Sequence, residues 1–131
     1  MRTVFTNGWF DILHRGHLEY LYRSSLLGDR LIVGINSDES VRKIKGPTRP
    51  INNQEDRKFA LQCLSFVKFV YIFDDLTPWT LIETLKPDIV TKGGDYDPKD
   101  VVGRDLAKIV IISTVGEYST TKLIERICNG K

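Results

Sequence analysis

Apolar and polar positions alternate in blocks along this chain, and the period of the pattern changes from block to block. A short apolar run predicts a strand over residues 2–6. Over residues 17–27, Leu18, Leu21, Tyr22, Leu26 and Leu27 recur at helical spacing, and Gly28 with Asp29 stops that helix. Residues 31–35 are continuously apolar, the mark of a strand buried on both faces. Asn36-Ser-Asp-Glu supplies a cap and an acidic first turn for a short helix to about residue 44. Two prolines punctuate a loop over residues 45–51. A helix is predicted from about residue 53 to 64, with Phe59, Ala60, Cys63 and Leu64 on its inner face. Residues 69–73 form the third strand. Pro78 opens a helix that carries Leu81, Ile82 and Leu85 to the core and stops before Pro87. Residues 89–92 and 109–112 complete the strands, a glycine-rich loop follows the fourth, and residues 119–127 form the last helix.

Strands alternating with helices imply a parallel sheet covered on both faces. The predicted fold is therefore α/β: a Rossmann-like, doubly wound, five-stranded parallel sheet with helices on both faces, in a single domain over residues 1–131. In such sheets ligands bind beyond the carboxyl ends of the strands, where the strand order reverses. Four polar clusters fall on that one edge. Residues 7–17 follow the first strand, 36–45 the second, 92–97 the fourth and 114–121 the fifth.

Composition narrows the partners. Net charge is +2, from 19 basic and 17 acidic residues, a balance that gives no support to a nucleic-acid footprint, which would need basic residues gathered on one face. No apolar segment is long enough to span a bilayer, and the N-terminus enters a strand without a leader pattern. A cytoplasmic protein is expected, without membrane or nucleic-acid partners. Cys63 and Cys128 match no metal spacing and are expected as buried free thiols.

The chemistry concentrates in Asn7-Gly-Trp-Phe-Asp-Ile-Leu-His-Arg-Gly-His17, which holds both histidines of the chain. Zinc would need further ligands, and no third histidine exists. Gly16 allows close backbone approach, and the following helix points its amides and positive dipole end at the same spot. Two imidazoles there favour an anion, and a phosphate fits. Ser119-Thr-Thr121 opens the last helix. Capping needs one hydroxyl, and three suit a terminal phosphate. Lys45 and Arg57 are the basic candidates, with Arg42, Lys43 and Arg49 as competitors; the Lys45 loop is of a type that closes over ligands. Lys92-Gly-Gly-Asp-Tyr96 reads as a turn or as a base and sugar pocket, in which Asp95 binds hydroxyls or a metal. Trp9 and Trp79 read as core or pocket wall.

Gly8-x-Phe-Asp-x-x-His14-x-Gly-His17, together with Tyr118-Ser-Thr-Thr, resembles the cytidylyltransferase-like nucleotidyltransferases. Phe5-Thr-Asn-Gly-x-Phe-Asp-Ile-Leu-His, Gly28-Asp-Arg-Leu-Ile-Val, Asn36-Ser-Asp, Lys45-Gly-x-x-Arg-Pro-Ile and Lys92-Gly-Gly-Asp-Tyr are most similar to the adenylyltransferase domain of bacterial heptose-phosphate enzymes. The resemblance covers nearly the whole chain. It departs in three places: Trp9 stands where the family has a smaller residue, residues 96–119 are shorter than usual, and residues 113–117 lack an arginine found in the glycerol-phosphate branch.

The resemblance implies transfer of AMP from ATP, carried with Mg²⁺, to D-glycero-β-D-manno-heptose 1-phosphate, giving ADP-heptose and pyrophosphate for surface glycans such as lipopolysaccharide. A separate kinase would supply the sugar phosphate, and the protein would be a homodimer. The alternatives are a CTP-dependent enzyme for glycerol 3-phosphate or a related alcohol phosphate, and a non-catalytic nucleotide sensor. His14, His17, Lys45 and Thr120 would serve catalysis. Thr6, Asn7, Gly8, Trp9, Phe10, Gly16, Lys92, Gly93, Asp95, Ser119 and Thr121 would contact the nucleotide. Asp11, Asp38 and Arg57 would contact the acceptor. No residue is expected to be a dedicated metal ligand.

Overall fold

In the computed structural model, which describes residues 1–94, 96–113 and 119–130, the strand Thr3–Gly8 (β1) lies at the centre of a parallel sheet. Arg30–Asn36 (β2) and Phe69–Phe73 (β3) extend it on one side. Ile89–Gly93 (β4) and Lys108–Ile112 (β5) extend it on the other, giving the order β3-β2-β1-β4-β5. The register sets Phe5 opposite Ile32 on one side and Val90 on the other. The order reverses between β1 and β4, so the switch point lies at the carboxyl ends of those two strands.

Side chains alternate across a strand, and this divides the core in two. Val4, Leu31, Val33 and Ile35 pack with Leu21 and Leu61, which belong to the helices Arg15–Ser25 (α1) and Gln54–Gln62 (α3). Phe5, Ile32 and Val90 pack on the other face with Val101 and Ile82, the latter from Trp79–Leu85 (α4). Each such side chain contributes about 1.5–3 kcal/mol when fully buried, so neither face of the sheet can stay bare. The helix Asp38–Lys45 (α2) follows β2, and Thr120–Cys128 (α5) ends the described chain. Among the described residues no helix is long and apolar enough to cross a membrane.

The predicted elements are present, with shifted ends. Strand β1 runs to Gly8 because Asn7 and Gly8 still pair with Gly34 and Ile35. Helix α1 starts at Arg15, with His14 as its cap. Between β4 and β5 the described chain forms a 3₁₀ turn at Pro98–Asp100 and then returns through Val101 and Leu106, which fill the core where a helix would otherwise lie.

Two expectations are corrected. The inner face of α3 carries Arg57 and Leu61, whereas Phe59 is 68% exposed and Cys63 is also at the surface. Positions 57 and 61 are one helical turn apart, which turns 59 and 63 outward. Both cysteines are free and exposed rather than buried, because each falls at a helix's outer C-terminal end.

Candidate active site

At the carboxyl end of β1 the chain makes a tight reversal. A Cβ on Gly8 would stand 2.9 Å from the ring of Phe10, so only glycine lets that ring fold back over the strand. Phe10 itself has φ of 50°, a left-handed conformation that side chains disfavour and that needs support from its surroundings. The support is visible on both sides. Arg57 Nη1 donates to the Trp9 carbonyl at 2.9 Å. The buried Asp11 carboxylate accepts the backbone amides of Ile51 and Asn52, each at 2.8 Å at its nearest oxygen. Asn52 Nδ2 donates back to the Asp11 carbonyl at 2.6 Å. The reversal is thereby bolted to the loop that follows α2.

That reversal delivers the two imidazoles. His14 caps α1 and His17 is its third residue. Their rings stack with centroids 3.8 Å apart and planes 22° apart, and the Phe10 ring meets His17 at 5.3 Å in an edge contact. The His14 backbone N–H donates to His17 Nδ1 at 3.3 Å. In neutral His17 this leaves the proton on Nε2. Burial pushes the His17 pKa down to about 4, helped by the neighbouring His14 and opposed by a backbone hydrogen bond at Ile12. Burial also lowers His14. At neutral pH both rings are therefore uncharged, and each retains one N–H donor.

A cleft of ≈ 360 Å³ opens in front of them, within the range of small-ligand sites. Trp9, Phe10, Asp11, His14, Gly16 and His17 line one wall; Lys45 borders it from the last position of α2 and Arg49 from the loop that follows; Ser119, Thr120 and Thr121 approach from the start of α5. Thr120 Oγ1 reaches the Ile12 carbonyl at 3.5 Å, and Ser119 Oγ caps α5 by accepting from Lys122 N at 3.0 Å. Two helix N-termini thus converge on one cleft, and both favour negative charge. Hydrophobic and motif reasoning missed Glu19, Tyr20, Arg23 and Ser113, which also line it. Arg23 and Ser113 are joined, with Arg23 Nη1 donating to the Ser113 carbonyl at 2.8 Å.

Other expected contacts fall elsewhere. Thr6 is fully buried, with its hydroxyl 2.6 Å from Tyr20 Oη, so its side chain serves the core and is closed to a ligand. Asn7, Gly8, Lys92 and Gly93 sit at the same sheet edge but do not line the cleft. Lys92 Nζ lies 5.1 Å from the Tyr96 ring centroid, and burial lowers its pKa. Asp95 and residues 114–118 lie outside the described residues. The expectation that Arg57 meets an acceptor is corrected. Arg57 is 1% exposed, and its guanidinium is taken up by the Trp9, Asn36 and Asn52 carbonyls and by Asp38 Oδ1, all within 3.0 Å. It braces the cleft wall from behind. Asp38 likewise faces a separate depression between the starts of α2 and α3.

Residues 5–126 match the cytidylyltransferase-like family. The bifunctional protein HldE of Campylobacter concisus is 53% identical over 131 residues, covering 99% of this chain and 28% of the relative. HldE of a Nitratiruptor species is 55% identical over 127 residues, covering 96% and 28%. The chain therefore spans little more than a quarter of the length of these relatives. Among solved structures, the lipopolysaccharide core biosynthesis protein from Thermoplasma volcanium is similar at a TM-score of 0.73 and 28% identity, over 91% of this chain and 99% of that one. A pantothenate synthetase from Thermus thermophilus shares the fold at a TM-score of 0.61 and 19% identity, over 89% and 57%.

Proposed function

The chain belongs to the cytidylyltransferase-like family, and from that premise we propose that it transfers AMP from ATP to a sugar 1-phosphate, with D-glycero-β-D-manno-heptose 1-phosphate as the acceptor. The products are ADP-heptose and pyrophosphate. The observation that carries the reading is the stacked His14–His17 pair, which shares one cleft at the sheet's switch point with the start of α5.

The chemistry follows from that placement. A phosphate oxygen of the sugar 1-phosphate attacks the α-phosphorus of ATP in line. The bond from the α-phosphorus to the bridging oxygen breaks, and pyrophosphate leaves with the electron pair. No covalent intermediate is required. Catalysis rests on positioning and on stabilising charge as it develops. His14 and His17 donate hydrogen bonds to the phosphates. Lys45 covers the triphosphate, while Ser119, Thr120 and Thr121 receive its outer end. ATP enters as its Mg²⁺ complex, with the ion carried chiefly by phosphate oxygens and water, as octahedral Mg²⁺ prefers. The Asp11 carboxylate is already committed to two backbone amides. A homodimer acting in the cytoplasm belongs to the same reading.

Pyrophosphate release across a matrix of ATP and CTP against heptose 1-phosphate and glycerol 3-phosphate tests it. Release is expected with ATP and the heptose phosphate. Release only with CTP and glycerol 3-phosphate would reassign the substrates, and nucleotide binding with no release under any pairing would make the protein a sensor.

A further inference from the structure

We propose that Trp9 is a positioning residue, whose indole holds the Lys45 ammonium at the mouth of the cleft before any nucleotide arrives. The inference rests on the reading that the cleft takes a nucleotide's phosphates.

Lys45 is the last residue of α2 and is exposed. A long, flexible side chain in that setting ordinarily samples many rotamers and lies free in water. Here its Nζ stands 5.1 Å from the centroid of the Trp9 ring, within the range of a cation–π contact. Both side chains border the cleft that holds His14 and His17. The backbone that carries the indole is well fixed. The Trp9 carbonyl is clamped by the buried Arg57, and the left-handed Phe10 that follows sets the direction in which the chain leaves. Next to it, Asp11 ties the reversal to Ile51 and Asn52, in the loop that follows Lys45. The cleft wall and the lysine that closes it are therefore joined twice, once through backbone and once through the indole face.

Tryptophan is the best of the aromatic faces for this contact. A smaller apolar residue at position 9 would leave Lys45 to be ordered by the nucleotide alone, and that ordering would weaken binding. Removing the contact is expected to raise the Kd for Mg·ATP by about two- to ten-fold, the cost of ordering one long side chain on binding. Turnover at saturation should change little, because the lysine still reaches the bound phosphates.

The test uses the full chain. Trp79→Phe leaves Trp9 as the single tryptophan reporter. In ligand-free protein, Lys45→Met on that background should alter Trp9 emission, since the ammonium no longer lies on the ring. Unchanged emission would overturn the proposal without reference to nucleotide. Mg·ATP binding is then measured by calorimetry for the wild type, Trp9→Leu, Trp9→Phe, Lys45→Met and the Trp9→Leu/Lys45→Met pair. Trp9→Leu should weaken binding by the stated factor, with Trp9→Phe restoring part of it and KM rising while kcat holds. On the Lys45→Met background Trp9→Leu should cost clearly less than it does in the wild type, which is the coupling a double-mutant cycle isolates. Additive losses would overturn the proposal. A wild type that binds no nucleotide would refute the phosphate-site reading, with the emission result still deciding the Lys45–Trp9 contact.

Discussion

His14 and His17 are where a single residue type carries the most consequence. On the proposed reading each ring gives its one N–H to phosphate, His17 by releasing its backbone partner at Ile12, and losing one such donor typically costs on the order of 10²–10³ in turnover. His14→Ala and His17→Ala are each expected to lose that much kcat in the pyrophosphate assay while keeping the wild-type circular dichroism spectrum. The lowered pKa of His17 also makes a stability statement. Above pH 6.5 neither the folded nor the unfolded ring takes up a proton. Between 6.5 and about 4 the unfolded chain binds a proton that the folded ring refuses, so stability falls as the pH falls. Below about 4 both states carry the proton and the slope from this group ends. Melting temperature should decline through that window, and His17→Gln, which keeps an acceptor for the His14 amide, should flatten the decline. An equal slope in the variant would assign the acid sensitivity to other groups.

The elements are tied together by polar groups that hydrophobic periodicity cannot see. Tyr20 of α1 lies 2.6 Å from Thr6 Oγ1 on β1 and 3.0 Å from Thr91 Oγ1 on β4, and Ser24 Oγ meets Thr91 Oγ1 at 3.0 Å. Helix α1 is thus pinned to both strands that flank the switch point. Tyr20→Phe leaves buried hydroxyls short of a partner and should cost about 1–3 kcal/mol, read as a lower urea midpoint with an unchanged slope. Arg57 performs the equivalent task for α3. Arg57→Met keeps the apolar stem but strips a donor from three carbonyls and from Asp38, and a loss of about 3–5 kcal/mol is expected in the same assay. These two residues also explain what the sequence concealed. Apolar spacing, with caps and turn residues, located the five strands and five α-helices of the described residues, because periodicity records which face meets the core. On α3 it placed Leu64 correctly against the core but put Phe59 and Cys63 inside and missed Arg57, because Arg57 is buried by hydrogen bonds to backbone carbonyls contributed by Trp9, Asn36 and Asn52, and such acceptors leave no trace in a hydropathy pattern.

For the molecule as a whole, the parallel sheet with order β3-β2-β1-β4-β5 gathers at one edge what the chain keeps far apart. His14 and Thr120 are more than a hundred positions apart in sequence, yet they border one cleft. That gathering was legible in advance, since carboxyl ends of parallel strands share an edge whatever the loop lengths. Which polar residues enter the cleft was less legible: Arg23 and Glu19 do so from the helix flank, whereas Lys92 and Gly93 stop short of it. The central claim is that the nucleotide's triphosphate lies against the histidine pair at this edge. A crystal structure with a non-hydrolysable ATP analogue and Mg²⁺ tests it most directly. The account predicts phosphate oxygens within hydrogen-bond distance of both the His14 and His17 rings, with the outer phosphate at the start of α5. A nucleotide bound instead in the depression between the starts of α2 and α3, or on the opposite edge of the sheet, would contradict it.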